Sequence, residues 1–253
     1  MTTRLEDPLE EKFLNYLEPY PEDSLFFLRI WRNEKGRTSI VLAMEDDEIH
    51  GAMSIHDGRH VRLHGSEEAV ECLLHALSST SVEMRIPLEF SHLVEGRFPI
   101  NDSVVLTQML LTKGDERPMM VREVVRLERE DCMGISSLLQ AADKGCWNAV
   151  TAEDVEELFN EWEFHGVMLE GRIVAVGSAY FAEGGGNIGL IATHPDYRNM
   201  GLGRSIVSSL VMRALEDSAM VTIHVLPENG PAVHLYKSVG FVPNRDHLFL
   251  RTG

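Results

Sequence analysis

The chain has 253 residues, with 40 acidic against 23 basic side chains and a formal net charge of −17. At 44% hydrophobic and 25% charged, with 20 Gly and 10 Pro, its composition is that of a globular protein and excludes a disordered or collagen-like chain. The acidity argues against nucleic acid as a partner, because phosphate contacts need clustered Lys and Arg, and it leaves cationic partners attractive.

The length suits one large domain or two small ones. Cys72, Cys132 and Cys146 form no CxxC pair and leave an odd thiol, which points to a reducing compartment without a zinc knuckle. Residues Met1 to Asp7 lack the basic and apolar segments of a signal peptide, and no apolar run approaches the roughly 18 residues of a membrane span. The expected location is the cytoplasm, with no membrane partner.

Taken in chain order, the first half reads as a hairpin over Thr38–Met44 and Ile49–Ile55 joined by Glu45-Asp46-Asp47-Glu48. A strand at His60–His64, a helix at Glu67–Leu77 and a strand at Val82–Ile86 follow. His50, His56, His60, His64 and His75 invite a metal reading, but His60, Arg62 and His64 share one strand face, where the cation would repel a metal ion, and no HExxH occurs. The acidic run is a hairpin tip, since a calcium loop spreads its ligands over about 12 residues. No metal is expected.

After the apolar run Val104 to Leu111, the stretch Thr112-Lys113-Gly114-Asp115-Glu116-Arg117-Pro118 reads as a linker. It sets expected domains at 1–117 and 118–253. Beyond it, Val121–Leu127 reads as a strand and Asp131 as a helix N-cap ahead of Ile135, Leu138 and Leu139. Thr151-Ala152-Glu153-Asp154 resembles a capping box before Val155, Leu158 and Phe159. Val167–Leu169 and Ile173–Phe181 make a hairpin through Glu170-Gly171, whose residue types suit the positive-φ positions of a tight turn. Gly184-Gly185-Gly186 turns the chain into the strand Ile188–Thr193, and helix (201–216), strand (220–226), helix (229–239) and strand (247–251) complete an α/β layout with a mixed sheet. The strand-strand-strand-helix-strand order of the first half echoes the second and suggests duplication.

The most informative segment runs from Ile191 to Arg204: a strand ends, Pro195 and Asp196 turn the chain, and Gly201 and Gly203 open an amphipathic helix. Such an entry offers unpaired backbone N–H groups and the positive end of a helix dipole, and glycine lets a pyrophosphate come close. A dinucleotide GxGxxG fails at Ile206, and no GxxxxGK[ST] occurs. Arg198-Asn199-Met200-Gly201-Leu202-Gly203 matches the [Q/R]xxGx[G/A] signature of the GNAT superfamily of N-acyltransferases, which the second half therefore resembles. Asn229-Gly-Pro-Ala232-Val-His-Leu235-Tyr236-Lys-Ser-Val-Gly240-Phe241 matches that family's NxxAxxLYxxxGF element. The resemblance covers about residues 120–253 and says little about 1–117.

The resemblance implies acyl-CoA as co-substrate. The amides of Arg198, Asn199, Met200, Gly201, Leu202, Gly203 and Arg204 would hold the pyrophosphate, with charge pairing from the two arginines. Ile191, Ala192 and Thr193 would pair with pantetheine and point an amide at the thioester oxygen. Asn229 would contact the CoA arm and Tyr236 would protonate the leaving thiolate. The carboxylate many members carry before the loop is missing from Asn187-Ile188-Gly189-Leu190, so His224 is the expected base, with Glu183 the runner-up. Trp147, beside Cys146, is either a wall of the acceptor site or a core anchor.

His64-Gly65-Ser66-Glu67 lies at the matching turn of the first half, with one glycine and an acidic helix start, so that half is expected not to bind CoA. The layout is similar to tandem glycine N-acyltransferase-like proteins. The expected activity is N-acetyl transfer from acetyl-CoA to a primary amine by direct attack in a ternary complex. Amino-acid N-acylation with a longer acyl group, and a non-catalytic acyl-CoA sensor, remain open beside it. The acceptor is left open between small molecule and protein, as is the oligomeric state, a homodimer included.

Overall fold

The computed structural model describes residues 1–253 apart from Lys144, Cys146 and Glu183 and the side chains of Asp7, Pro8 and Asn33. In chain order come β1 (Thr2–Arg4), α1 (Asp7–Leu17), α2 (Pro21–Asn33), β2 (Thr38–Glu45), β3 (Glu48–His56), β4 (His60–Gly65), α3 (Glu67–Ala76), β5 (Glu83–Pro87) and β6 (Ile100–Thr112). Then follow β7 (Val125–Leu127), α4 (Cys132–Ala142), α5 (Ala152–Leu158), β8 (Glu163–Leu169), β9 (Arg172–Ala182), β10 (Gly185–Thr193), α6 (Leu202–Asp217), β11 (Met220–Val225), α7 (Gly230–Val239) and β12 (Val242–Thr252). The chain divides into two compact units, Met1–Gln108 with Asn244–Gly253, and Met109–Pro243. Instead of one cut near residue 117, this division falls within β6 and returns most of the final strand to the first unit.

The first unit has the strand order β1-β2-β3-β4-β5-β12, with β4 and β5 parallel and the other described pairs antiparallel. Asp46 and Asp47, at φ 49° and 69°, make the β2–β3 turn, a conformation that Asp tolerates because its short side chain can bond locally. On one sheet face Phe13, Leu17, Phe27 and Trp31 of α1 and α2 cover Ile40, Leu42 and Ala52. On the other, Val70, Leu73 and Leu74 of α3 cover Met53, Leu63, Met84, Ile86 and Leu250. Helices α1 and α2 were not among the expected elements.

The second unit repeats the element order: β7-α4-α5-β8-β9-β10-α6-β11 follows β1-α1-α2-β2-β3-β4-α3-β5 step for step. Its strand order is β11-β10-β9-β8-β7, with β10 and β11 parallel. Ile206, Leu210 and Ala214 of α6 recur on a buried helical face against Val174, Ile188 and Ile223, with Val239 of α7 in the same core. Ile135, Leu138, Leu139 and Val155 of α4 and α5 pack with Phe164 and Val176 on the other core.

The expected strand at Val121–Leu127 is shorter, because the N–H groups of Met119 and Val121 go to the hydroxyls of Ser208 and Ser205 on α6, each at 3.0 Å. Asp131 does not cap α4; it accepts from the Glu128 N–H at 2.9 Å and closes a short 3-10 turn instead. Thr151 and Asp154 form the expected reciprocal capping box, and Glu170 and Gly171 take positive φ of 50° and 74° in the β8–β9 turn. Among the described residues no helix is long and apolar enough to cross a membrane.

Candidate functional site

The site begins where two strands part. β10 pairs with β11 in parallel over Gly186–Ile188 and Val221–Ile223, and its register with β9 shifts between Ile188 and Ile191. Ile191, Ala192 and Thr193 stay paired with Gly177, Val176 and Ala175 of β9 but stand beyond the parallel register on their other edge. An extended ligand could pair with that edge as a further strand would. A Cβ on Gly189, at the shift, would lie 2.4 Å from the Trp162 ring, so glycine here lets the indole cover the backbone.

The chain then makes a 3-10 turn at Pro195–Tyr197, where His194 Nδ1 accepts from the Asp196 N–H at 3.2 Å. Asn199 and Gly201 follow at φ 62° and 75°, both left-handed. Gly201 is the N-cap of α6 and carries no side-chain cap; the helical ladder reaches back to it from the Ser205 N–H at 3.0 Å. The N–H groups of Leu202, Gly203 and Arg204 precede that bond, at the positive end of a 16-residue helix. A Cβ on Gly203 would sit 3.1 Å from Leu235 and 3.7 Å from the Thr193 hydroxyl, so this glycine brings the ends of β10, α6 and α7 together. An anion of phosphate size suits such an entry.

Each expected arginine is engaged. Arg198 Nη2 donates to the Ala142 carbonyl at 2.7 Å, at the end of α4, and Arg204 Nη2 donates to the Ser238 carbonyl at 3.0 Å, in the last turn of α7. Cations at helix C-termini satisfy orphan carbonyls and oppose the negative dipole end. The Arg204 Nε is buried without a hydrogen-bond partner among the described residues. Asn229 caps α7, its Oδ1 accepting from the Ala232 N–H at 3.2 Å.

Tyr236 is 7% exposed, within the core formed by α6 and β11, and burial pushes its hydroxyl up to about 12. His224 is half-buried on β11. Val221, Ile223 and Val225 belong to the core shared with α6, so strand alternation puts His224 on the opposite face, with Thr222. There the Thr222 hydroxyl donates to Asn187 Oδ1 at 3.0 Å, and Tyr180 packs edge-on to Trp162 at 4.8 Å. Tyr236 and His224 therefore flank β11 from opposite sides.

Trp162 and Tyr180 were missed by sequence reasoning; the available signal was Gly189, a glycine inside an apolar strand. A second unforeseen set ties β8 to α6: His165 Nδ1 lies 2.9 Å from Ser209 Oγ, and its Nε2 lies 2.9 Å from Glu163. Trp147 packs against the α4–α5 core. Cys146 and Glu183 lie outside the described residues. Among the described residues no group of three or more His, Cys, Asp or Glu could hold a metal ion.

The second unit is an α/β domain whose bare, glycine-opened helix start lies beside parting parallel strands. Residues 133–241 match the Acetyltransferase (GNAT) family, and the chain carries a GNAT-superfamily domain in its C-terminal half. No curated protein matches the sequence. Over the whole chain the fold is similar to the X-ray structure of a Drosophila protein, with a TM-score of 0.75, 15% identity and coverage of 100% of this chain and 98% of that one. It is similar also to an acetyltransferase from the GNAT family from Colwellia psychrerythraea, at TM-score 0.60 and 12% identity, with each chain covered in full at 100%. A tandem GNAT protein from the clavulanic acid biosynthesis pathway aligns at TM-score 0.52 and 14% identity, covering 85% of this chain and 82% of that chain.

Proposed function

We propose that the second unit transfers an acetyl group from acetyl-CoA to a primary amine, by direct attack within a ternary complex. The observation that carries this reading is the uncapped start of α6 beside the parting of β10 and β11, within residues that match an acyltransferase family. The amides from Arg198 to Arg204 receive the pyrophosphate, and Arg198 and Arg204 add positive charge while bracing the loop to α4 and α7. Pantetheine runs along Ile191–Thr193, an amide of which receives the developing oxyanion. Asn229 orders the first turn of α7 next to the CoA arm.

In the reaction the amine nitrogen bonds to the thioester carbonyl carbon and the C–S bond breaks, releasing CoA thiolate. Only the neutral amine has a free lone pair, and a lysine-like amine is protonated below about pH 10.4, so a base must take its proton. His224 is that base, and Tyr236 gives its proton to the departing sulfur. A hydroxyl held at about 12 stays protonated across the physiological range, which suits a donor. The net charge of −17 favours a cationic amine as acceptor, while the glycine-opened loop admits the anionic CoA locally.

Release of free thiol from acetyl-CoA, measured against a panel of small amines, amino acids and peptides, tests this reading. His224→Ala is expected to lower kcat by at least about 100-fold, the usual share of a general base. Retention of the full rate from pH 6 to 9 would show that His224 is not the base. Turnover of longer acyl-CoA alone would move the assignment to amino-acid N-acylation. Thermal stabilisation by acetyl-CoA with no thiol release under any acceptor would make the unit a sensor.

A further inference from the structure

We propose that the first unit holds a binding site of its own for an apolar amino acid, whose carboxylate meets Arg4 while its ammonium meets the C-terminal end of α3. The site is a cavity of about 430 Å³ over β1, β2 and the end of β3, beside the last residues of α3. This volume lies in the range of small-molecule pockets.

The sheet register builds its floor. Arg4 stands opposite Val41 across β1 and β2, and Ser39 opposite Ile55 across β2 and β3. Val41 and Ile55 pack against the core that α3 covers, so these four side chains share the face of the sheet on which α3 lies. The helix ends before it covers them. It has 10 residues where α6 has 16, a difference of about 9 Å at the rise of an α-helix. In the second unit the corresponding edge is closed: Arg126 of β7 meets Glu163 at 3.3 Å, Glu163 meets His165 at 2.9 Å, and His165 meets Ser209 of α6 at 2.9 Å. In the first unit Arg4 is exposed, and among the described residues its guanidinium makes no ion pair or hydrogen bond and no acid lines the cavity.

The cavity wall carries both signs. Arg4 offers a guanidinium fork to a carboxylate. Ala76 and Leu77 bring the C-terminus of α3, the negative end of its dipole, to the same cavity. His75 turns its ring back to the Glu71 carbonyl at 2.8 Å, and the Leu77 N–H donates to the Leu74 carbonyl at 3.3 Å, so the His75 and Ala76 carbonyls accept no hydrogen bond among the described residues. Orphan carbonyls at a helix end suit an ammonium donor. Val41, Ile55 and Leu77 supply apolar surface between these groups. A carboxylic acid alone would face the negative helix end, and an amine alone would leave Arg4 unpaired; a zwitterion with an apolar side chain satisfies both. The site is independent of acyl transfer, since every residue that lines it belongs to the first unit.

Calorimetric titration of the full chain with leucine, N-acetyl-leucine and leucinamide tests the proposal. One-site saturation by leucine is expected, at least about tenfold tighter than by either blocked analogue. Arg4→Met is expected to weaken leucine at least about tenfold, while leucinamide stays within about twofold and acetyl-CoA binding is unchanged. Ser39→Trp, which fills the floor, should abolish saturation by leucine, with a thermal melt to establish folding. Leucine held instead as an acyl acceptor by the second unit would keep its affinity in both variants. The proposal is overturned by that outcome, by a lack of saturation up to about 10 mM, or by either blocked analogue binding as tightly as leucine.

Discussion

Helices α3 and α6 hold equivalent places in the two units, each entered from the third strand of a meander and followed by a parallel strand. They open in opposite ways. α3 starts at Ser66, whose hydroxyl accepts from the Ala69 N–H at 3.3 Å, and places Glu67 and Glu68 in its first turn. α6 starts at Gly201 with no side-chain cap and no acid in its first turn. An anion approaching α3 would have to displace a hydroxyl and face two carboxylates; at α6 it meets bare amides. Even the entry glycines differ in purpose. A Cβ on Gly65 would lie 2.6 Å from the Gly51 Cα and the His50 carbonyl, so Gly65 serves strand packing, whereas a Cβ on Gly201 would first meet the Val121 side chain at 3.0 Å. Duplicated topology thus leaves the two helix starts chemically distinct, and the first residues of each helix set the difference.

Giving α6 the opening of α3 should erase the contrast. The double substitution Gly201→Ser with Gly203→Glu is expected to weaken acetyl-CoA binding by about 100-fold or more, through a strained positive φ, a crowded Leu235 and a misplaced carboxylate. Calorimetry measures it, with a thermal melt to establish folding.

The charged face of the first unit provides the next test. Burial, and then the Arg85 guanidinium 3.5 Å away, hold His247 down to about 3 against an ordinary 6.5, although Asp23 opposes them. The unfolded chain therefore takes up this proton first as pH falls. The neutral ring's contribution is complete above about pH 6.5 and declines toward pH 3 at about 1.4 kcal/mol per pH unit. Denaturant unfolding between pH 7 and 4.5 should show this slope, and His247→Phe should flatten it.

Tyr236→Phe separates chemistry from binding: kcat should fall about tenfold or more while acetyl-CoA affinity stays within twofold. Because Tyr236 titrates near 12, no alkaline limb below pH 10 in the rate profile of the unaltered chain should belong to it. The smallest effect is expected from Ser66→Ala, which removes the α3 cap and should cost about 1 kcal/mol of stability without changing acetyl-CoA affinity.

Much of this fold was legible because its signals are local. The capping box at Thr151, the Glu170-Gly171 turn and the glycine-opened α6 are each written within a few consecutive residues. Helices α1 and α2 escaped although each has a proline at its first or second position and α2 opens with Glu22 and Asp23: Glu6 and Tyr20, their N-caps, make no side-chain cap, and the face formed by Phe13, Leu17, Phe27 and Trp31 is completed only by the sheet it covers. Of the histidines that share one face of β4, His64 is buried against Asp23 of α2, a partner 41 positions earlier (64 − 23 = 41) that strand periodicity does not reveal. The loop residues of the candidate site were found from glycine spacing; the indole over Gly189 was not, since Trp162 lies 27 positions away from it in the chain (189 − 162 = 27).

By itself the sequence determined where the chain turns at Glu170-Gly171, where α5 and α6 begin and that the α6 start is bare, since these depend on the φ freedom and hydrogen-bonding reach of neighbouring residues. Tertiary structure alone decided that the final strand joins β5, that β10 and β11 part after Ile188 and Ile223, and that Arg62 stands beside Arg85. Strand alternation tells which face a side chain takes but not which strand lies next to it; that choice is settled by burying two faces of a sheet at once, among residues far apart in the chain.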